Sequence, residues 1–243
     1  MVDLSGSTAI VTGAGTGIGR AVARALVGAG CRVDLWGRRL EQLEETALNL
    51  DPERVRITRC DVSERIRVDA AVAALQSTWG RVDLLVNNAG INTNPRSIAE
   101  VKPEDWDRTV AINLTGVYNV TRAVLPDMKA HRSGLVINIA SIAGLRASKL
   151  AGAAYSATKH GVVALTNALN EEEVEDGIRA CAICPGEVET PILDQRVEPV
   201  SAERRAAMLQ PEDLAEAALF VASLPPRACV PLLVIKPTVQ IFH

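Results

Sequence analysis

Residues 9–19, with the sequence AIVTGAGTGIG, decide the fold of this chain. An apolar run from Ala9 to Val11 leads into a glycine-rich segment, and the pattern from Arg20 to Leu26 is helical. The order is therefore strand, glycine loop and helix. In such a unit, backbone N–H groups and the positive end of the helix approach a pyrophosphate, and glycines leave room for that contact. The stretch predicts a nucleotide-binding unit at the start of an α/β fold.

Composition limits the class of protein. The chain has 243 residues, 48% of them hydrophobic, and a formal charge of −3. Short apolar runs alternate with helical patterns, which favours one α/β domain over residues 1–243. The chain has no excess of basic residues, so its composition gives no indication of a nucleic-acid partner. The first residues lack a positive or apolar leader pattern and no apolar run approaches a membrane span, so we expect a cytoplasmic protein without membrane contact.

Cysteine and histidine spacing argues against a metal site. Cys181 and Cys184 resemble a redox or metal pair, but they lie in an apolar run that reads as a strand. Residues three apart on a strand point to opposite faces, so we interpret both as small buried hydrophobes. The three histidines, His131, His160 and His243, have no ligand-like spacing.

The pair Tyr155 and Lys159 is the candidate for proton transfer. Residues four apart on a helix are neighbours. A free tyrosine has a pKa of roughly 10, and an ammonium about 5 Å away is worth roughly 3 kcal/mol to the phenolate at an effective dielectric of about 20. We therefore expect Lys159 to lower the pKa of Tyr155, with help from an oxidised nicotinamide. The alternative is a helix that carries both residues by chance.

Further motifs follow in order along the chain: Asn87-Asn88-Ala89-Gly90, Asn113, Ser141 and Cys184-Pro185-Gly186. Together with the glycine loop and the Tyr155 segment, they resemble the classical short-chain dehydrogenase/reductase family over residues 5–237. The resemblance implies a Rossmann-like doubly wound fold, with a seven-stranded parallel sheet and helices on both faces. It also implies an NAD(P)-dependent oxidoreductase acting on a small carbonyl or alcohol. A homodimer or homotetramer is expected, because in many relatives the Asn113 and Tyr155 helices form a four-helix interface.

The resemblance also assigns site residues. The catalytic residues it implies are Asn113, Ser141, Tyr155 and Lys159. The cofactor-binding residues it implies are Gly13, Gly15, Thr16, Gly17, Ile18, Gly19, Arg38, Asp61, Val62, Asn88, Ala89, Gly90, Tyr155, Lys159, Pro185, Gly186, Val188 and Thr190. Three positions keep a structural alternative: Asn113 as a hydrogen-bonded core residue, Asp61 as a cap of the helix beginning near Ser63, and Asn87 as a residue of the core.

The end of the second predicted strand bears on the choice of cofactor. An acidic residue there selects NAD through the ribose 2′-hydroxyl, whereas an arginine accommodates the phosphate of NADP. Here Gly37 and Arg38 stand at that point, so we expect NADP(H) to be preferred, with NAD(H) not excluded. Two observations weaken this preference. Arg38 and Arg39 also suit a solvated first helical turn, and Thr16 stands where many NADP-preferring relatives carry a basic residue.

The substrate is the least determined feature. Residues 186–210 are interpreted as a substrate lid. The candidate pocket residues are Ile91, Asn92, Thr93, Leu145, Arg146, Leu150, Ala151, Glu187, Ile192 and Leu193, which suit a medium-sized, partly hydrophobic molecule. One alternative is a 3-oxoacyl carrier-protein reductase that uses Arg122, Lys129 and Arg132 as a basic landing site. Another is a catalytically silent NAD(P)-binding regulatory protein.

The last strand departs from the family pattern. Many relatives end in an Asp-Gly-Gly turn, whereas this chain continues with Lys236-Pro237-Thr238-Val239-Gln240. That difference puts any transfer of tetramer geometry in doubt. The remaining predicted elements are strands at 32–36, 55–59, 82–86, 135–140, 179–184 and 232–235, and helices at 39–49, 103–128 and 211–223.

Overall fold

Seven parallel strands form one sheet at the centre of the protein. The computed structural model describes residues 3–195 and 200–240. The strands are β1 (Thr8–Thr12), β2 (Arg32–Gly37), β3 (Val55–Arg59), β4 (Leu84–Asn87), β5 (Gly134–Ile139), β6 (Ile178–Pro185) and β7 (Leu232–Ile235). Their order across the sheet is β3-β2-β1-β4-β5-β6-β7. The chain therefore starts in the middle, runs to one edge, returns across β1 and continues to the other edge.

This order creates a crevice between β1 and β4. The connections from these two neighbouring strands lead to opposite sides of the sheet, and open α/β sheets bind ligands at such a point, outside the carboxyl ends of the strands. β1 ends at Thr12 and β4 ends at Asn87. The glycine loop and the segment from Asn88 to Gly90 therefore meet at the same edge of the sheet.

Eight α-helices cover the two faces of the sheet within the described residues. They are α1 (Gly17–Gly28), α2 (Leu40–Ala47), α3 (Arg65–Trp79), α4 (Pro103–Val110), α5 (Gly116–His131), α6 (Ala153–Glu172), α7 (Ala202–Ala206) and α8 (Pro211–Ser223). A π-helical turn, Ala111–Thr115, joins α4 to α5. Short 3-10 turns occur at Ile142–Gly144, Val174–Asp176 and Pro191–Gln195.

Side-chain alternation along the strands divides the core into two layers. On one face, Val11 of β1 packs with Leu26 of α1 and Leu214 of α8. On the other face, Ile10 packs with Leu75 of α3 and Val124 of α5. Because both faces of the sheet are covered, β1, β4 and β5 are buried throughout their length, as is usual for parallel sheets.

The predicted doubly wound fold is confirmed, and every predicted strand is present. Strands β3 and β7 and helix α8 have the predicted bounds, and the other strand ends differ by at most two residues. The helix predicted over 103–128 begins at Pro103 but contains the π-helical turn and continues to His131. Helix α3 begins at Arg65, two residues after Ser63, and its N-cap residue is Glu64, so Asp61 does not cap it.

The cysteines are separated as the strand alternation predicts. All five thiols are free. Cys181 packs on the face that carries α1 and α8, whereas Cys184 packs on the other face beside Val162 of α6. Within residues 3–195 and 200–240, no group of three or more His, Cys, Asp or Glu side chains is placed to hold a metal ion. None of the helices in those ranges has the length and hydropathy needed to span a bilayer.

Candidate active site

The glycine loop is packed tightly against the end of β4. A Cβ added at Gly13 would lie 2.9 Å from the Cα of Ala89, and one added at Gly19 would lie 2.3 Å from the carbonyl oxygen of Gly13. Gly17, the first residue of α1, has φ +51°, a conformation that favours glycine. The first turn of α1 carries no acidic side chain, so the positive end of the helix dipole lies open at the crevice.

Hydrogen bonds join the loop to the segment after β4. The Thr12 hydroxyl oxygen accepts from the backbone N–H groups of Asn88, at 2.9 Å, and Ala89, at 3.0 Å. In return, Nδ2 of Asn88 donates to the carbonyl oxygens of Thr12 and Gly13, at 3.0 and 3.2 Å. The Asn88 side chain therefore links the glycine loop to the segment that follows β4.

The adenosine end of the predicted site contains an arginine and a carboxylate. Nη1 of Arg38 lies 4.0 Å from Oδ2 of Asp61, and the Arg38 side chain is 59% exposed. Oδ1 of Asp61 accepts from the backbone N–H and the hydroxyl of Ser63, at 3.0 and 2.7 Å. The next residue, Val62, is buried, and its carbonyl oxygen accepts from Nδ2 of Asn119. Asp61 thus forms a turn at the end of β3 and leaves Arg38 reaching into solvent beside it.

Tyr155 and Lys159 lie on one face of α6, as their spacing predicts. Nζ of Lys159 is 5.6 Å from the centroid of the Tyr155 ring. The same ammonium donates to the carbonyl oxygen of Ile139, at 2.7 Å, at the end of β5. Ser141 follows that strand, and its hydroxyl acts to lower the pKa of the Tyr155 phenol. Its hydroxyl oxygen also accepts from the N–H of Ala143, at 3.1 Å, which fixes its orientation.

Burial dominates the acid–base properties of this pair. It raises the pKa of Tyr155, and the hydrogen bond from Ser141 and the charge of Arg96 only partly oppose that effect. Burial also lowers the pKa of Lys159 to about 8, because only 5% of the residue is exposed and its charged form therefore loses hydration. Burial of the phenol therefore outweighs any lowering of its pKa by Lys159. The Lys159 ammonium donates a hydrogen bond to the carbonyl oxygen of Ile139. Desolvation by burial is the largest influence on the pKa of Tyr155.

Asn113 lies in the π-helical turn and faces the loop after β4. Its Oδ1 accepts from the N–H of Ile91, at 2.8 Å, and its Nδ2 donates to the carbonyl oxygen of Ile91, at 2.9 Å. A longer bond, 3.3 Å, joins Nδ2 to the Thr158 hydroxyl. π-Helical turns occur often at functional sites. Here the turn brings a fully buried amide next to Gly90, where an added Cβ would lie 3.4 Å from Oδ1 of Asn113 and 3.7 Å from Nζ of Lys159.

Asn87, by contrast, belongs to the core. Its Nδ2 donates to Oδ1 of Asn138, at 2.9 Å, and to the hydroxyl of Thr121, at 3.1 Å. Asn138 in turn donates to the Thr166 hydroxyl, at 2.9 Å. This buried chain of polar groups joins β4, β5 and α6, so the structural alternative for Asn87 fits its contacts.

The segment from Pro185 to Thr190 closes the crevice from the other side. A Cβ added at Gly17 would lie 3.1 Å from Cγ2 of Thr190, so the segment reaches the start of α1. Val188 pairs with Leu209 in an isolated β-bridge. The predicted cofactor residues from the glycine loop, β4 and β6 therefore lie around one crevice, and Arg38 and Asp61 lie at the ends of the neighbouring strands β2 and β3.

A cavity of about 410 Å³ extends from this segment, and it only partly matches the predicted pocket. Its lining residues are Leu150, Glu187, Arg204, Ala207, Met208, Pro237, Val239 and Gln240. Of the ten pocket candidates, only Leu150 and Glu187 are among them. The residues from α7 and from the turn after β7 were missed, because they are distant in sequence from any motif. The unusual Lys236–Gln240 stretch was the only available signal.

Comparisons with known proteins agree with this geometry. A sequence model described as short chain dehydrogenase matches residues 7–200. An uncharacterized oxidoreductase of Staphylococcus haemolyticus is 35% identical over 237 residues, which is 98% of this chain and 100% of the relative.

Solved structures of similar proteins carry nicotinamide nucleotides. The closed form of serine dehydrogenase, complexed with NADP+, is 31% identical with a TM-score of 0.90, covering 97% of this chain and 96% of that one. A 3-ketoacyl-(acyl-carrier-protein) reductase from Brucella melitensis, complexed with NADH, is 34% identical with a TM-score of 0.88, covering 98% and 100%. With its crevice, its glycine loop and these relatives, the chain belongs to the short-chain dehydrogenase family and is an NAD(P)-dependent oxidoreductase.

Proposed function

We propose that this enzyme interconverts a ketone and a secondary alcohol and that NADP(H) is its preferred nucleotide. The observation that carries the proposal is the meeting of Ser141, Tyr155 and Lys159 at the carboxyl edge of the sheet, beside the glycine crevice. At that edge the phenol can donate a proton, and the hydroxyl and the ammonium assist it.

The crevice fits a dinucleotide. The surroundings of Gly13, Gly17 and Gly19 leave little room for a side chain at these positions, and the N-terminus of α1 points into the opening. The pyrophosphate would lie against this loop. Gly90 and Lys159 would hold the nicotinamide ribose, and Gly186, Val188 and Thr190 the ring. When bound, the nucleotide supplies or accepts the hydride.

Tyr155 acts as the proton donor in the reductive direction. The phenol is protonated at neutral pH, as a free tyrosine with a pKa of roughly 10 also is, and it gives its proton to the carbonyl oxygen of the substrate. Ser141 orients that oxygen with a second hydrogen bond. The Lys159 ammonium, with a pKa of about 8, exchanges protons close to physiological pH and returns one to the tyrosine. Asn113 would hold a water that connects Lys159 to solvent.

A pair of matched tyrosine variants tests this role. We expect Tyr155→Phe to lower kcat by about 10²- to 10⁴-fold, the usual contribution of a positioned proton donor, and to change the Kd for NADPH by less than about threefold. The chain has two tyrosines, and Tyr118→Phe, at the exposed position on α5, removes the other phenol as a control. Near wild-type turnover by the Tyr155 variant would refute the assignment.

The preference for NADP(H) is supported by Arg38. Its guanidinium is exposed at the end of β2, and the ion pair with Asp61 at 4.0 Å is long enough to leave donors for a phosphate. We expect Arg38→Ala to lower kcat/KM for NADPH by about 10- to 100-fold, as for the loss of a charge-assisted hydrogen bond, with little change for NADH. Arg39→Ala, at the neighbouring exposed arginine, is the matched control. A wild-type preference for NADH would contradict the proposal.

We further propose that residues 186–210 form the substrate lid, although residues 196–199 lie outside the described part of the chain. Nη2 of Arg204 lies 2.9 and 3.1 Å from the two carboxylate oxygens of Glu187, and Nη1 of Arg205 lies 2.7 Å from Glu189. These ion pairs hold α7 over the cavity. The cavity wall combines apolar side chains with the Arg204–Glu187 ion pair, which suits a medium-sized, partly hydrophobic substrate.

The carrier-protein alternative receives mixed support. A neighbour of 34% identity is named a 3-ketoacyl-(acyl-carrier-protein) reductase. The expected basic landing site, however, is already paired within the chain: Arg122 with Asp69, Lys129 with Glu173 and Asp176, and Arg132 with Asp176. A comparison of free and carrier-linked 3-oxoacyl substrates separates the two functions. We expect the carrier to add less than about tenfold in kcat/KM, because the basic surface is neutralised.

The regulatory alternative requires binding without turnover. The complete set of Asn113, Ser141, Tyr155 and Lys159 disfavours it, since a protein that only binds nucleotide does not need a proton donor. A panel of ketones and secondary alcohols, run with NADPH and NADP+, decides the matter. Tight nucleotide binding without turnover across the panel would favour a silent protein.

We also propose a homodimer through α5 and α6. A groove of about 440 Å³ runs between them, lined mainly by small and apolar residues: Leu114, Thr115, Tyr118, Gly161, Ala164, Leu165 and Ala168. Leu165→Glu would place a charge in the groove. We expect this variant to shift the mass measured by light scattering toward a monomer.

A further inference from the structure

The turn after β7 packs directly on the nicotinamide-binding segment. A Cβ added at Gly186 would lie 2.2 Å from Oε1 of Gln240, 2.9 Å from Cδ of Pro237 and 3.0 Å from Cβ of Lys236. The backbone N–H of Gly186 donates to the carbonyl oxygen of Ile235, at 2.8 Å. Gly186 is therefore enclosed by the end of β7 and by the residues that follow it.

Gln240 contacts this segment through its side-chain amide. Its Oε1 accepts from the backbone N–H of Glu187, at 3.0 Å. The turn itself is closed by a bond from the N–H of Gln240 to the carbonyl oxygen of Pro237, at 3.0 Å. The Gly186–Glu187 peptide is thus fixed on its N–H side by a residue 53 positions away in the sequence.

The other side of the same peptide segment is held by the chain after α7. The N–H of Leu209 donates to the carbonyl oxygen of Glu187, at 3.0 Å, and the N–H of Glu189 donates to the carbonyl oxygen of Leu209, at 2.8 Å. Two independent parts of the chain therefore grip residues 186–189. Among these bonds, the one made by the Glu187 N–H depends on a single amide side chain, that of Gln240.

We propose that Gln240 is a positioning residue, which holds the Gly186–Glu187 peptide in place for the nicotinamide while Pro237, Val239 and Gln240 wall the substrate cavity. The inference rests on the proposed function, because it concerns the same site. It follows from this chain's own turn, Lys236 to Gln240, whose side chains fill the space beside Gly186. Gln240 acts through the backbone of Glu187 and does not touch the reacting atoms.

Three variants isolate the acceptor oxygen. Gln240→Met keeps the length of the side chain and removes the acceptor. Gln240→Glu keeps an acceptor oxygen at the same place. Thr238→Ala alters an exposed residue of the same turn that does not line the cavity, and it serves as the matched control.

Amide exchange measured by NMR is the first readout. We expect the Glu187 N–H to exchange at least about tenfold faster in Gln240→Met, because it loses its acceptor. The Ala182 N–H of β6, bonded to Pro231 at 3.0 Å, is the internal reference. The Glu187 rate should stay near the wild-type value in Gln240→Glu and Thr238→Ala.

Nucleotide binding and turnover are the second readout. We expect the Gln240→Met variant to raise the Kd for NADPH about fivefold, the equivalent of one neutral hydrogen bond. Its kcat should fall more than the KM for the carbonyl substrate changes, and Gln240→Glu should restore both values. Unaltered Glu187 exchange in Gln240→Met would overturn the inference. Faster exchange with NADPH affinity and kcat within twofold of wild type would also overturn it, since Gln240 would then be only structural.

These outcomes are separable from failure of the proposed function. Exchange and NADPH binding need no substrate, so they decide the role of Gln240 even if no ketone or alcohol is turned over. Absence of turnover in the wild type, with normal nucleotide binding, would refute the proposed reaction alone.

Discussion

Lys159 carries a buried positive charge, and replacing it by methionine should stabilise the folded protein. Lys159 as a whole residue is only 5% exposed, and burial lowers the pKa of its ammonium to about 8 from the ordinary value of 10.5. A base with a lower pKa in the folded state opposes folding while it is protonated. At pH 7 the difference corresponds to a cost of roughly 3 kcal/mol.

The direction of the pH effect follows from proton binding. Between about pH 8 and 10.5, the unfolded lysine binds more protons than the folded one, so the Lys159 contribution to the free energy of unfolding becomes more favourable as pH rises. The cost of roughly 3 kcal/mol at pH 7 should fall to about 2 kcal/mol at pH 9. Methionine removes this cost but leaves the Ile139 carbonyl oxygen without its donor, a loss of about 1 kcal/mol.

We therefore expect Lys159→Met to be more stable than wild type by about 2 kcal/mol at pH 7 and about 1 kcal/mol at pH 9. For a chain of this size the gain at pH 7 corresponds to roughly 4–8 °C in Tm. Urea unfolding without nucleotide, at both pH values, measures the difference between the two proteins. The buried cysteines, whose pKa values burial also raises, are present in both proteins, so their effect largely cancels.

Lys149→Met, at an exposed lysine before α6, is the matched control, and we expect it to change stability by less than about 0.5 kcal/mol. The Lys159 variant should also lose turnover. A Lys159→Met protein that is no more stable than wild type at pH 7, or a gain that does not shrink by pH 9, would refute this account of the buried charge.

Three further changes test the crevice and its support. Gly19→Ala would place a Cβ 2.3 Å from the Gly13 carbonyl oxygen; we expect NADPH affinity to fall at least about tenfold and stability to drop by about 1–3 kcal/mol, measured by fluorescence titration and urea unfolding. Gly28→Ala, in the same helix with nothing within 4 Å of the added Cβ, should instead be neutral or stabilising by roughly 0.5 kcal/mol; equal effects of the two would contradict the packing argument. Asn138→Ala leaves Asn87 without one of its two acceptors and should destabilise the protein by about 2–3 kcal/mol in urea, whereas a loss below about 0.5 kcal/mol would show that the buried polar chain is dispensable.

Sequence patterns predicted the fold well because their causes are local. Ala9 to Val11, the glycine loop and the helix after it needed no knowledge of the rest of the chain, and the same holds for Val55 to Arg59 and Pro211 to Ser223. The four-residue spacing of Tyr155 and Lys159 likewise put both side chains on one face of α6. What failed at the same place was the pKa argument, because it counted the charge of Lys159 and left out the burial of the phenol.

The candidate site was predicted in part. Its motif residues came from spacing and family resemblance, and the structure brings the four proposed catalytic residues together at one edge of the sheet. The cavity wall was not predicted, since α7 and the turn after β7 reach Glu187 only through the folded chain. The basic residues Arg122 and Lys129 show the same limit, because their acidic partners lie on other elements.

The sequence by itself determined the succession of strands and helices along the chain and the glycine loop, because periodicity and glycine spacing act within a few residues of each other, and the family resemblance supplied the residues expected around the crevice. Only the tertiary structure decided how strongly Tyr155 and Lys159 hold their protons, and which side chain meets the N–H of Glu187. Desolvation and long-range hydrogen bonds depend on which surfaces are brought together in space, and residues as far apart as Glu187 and Gln240 become neighbours only when the sheet is complete.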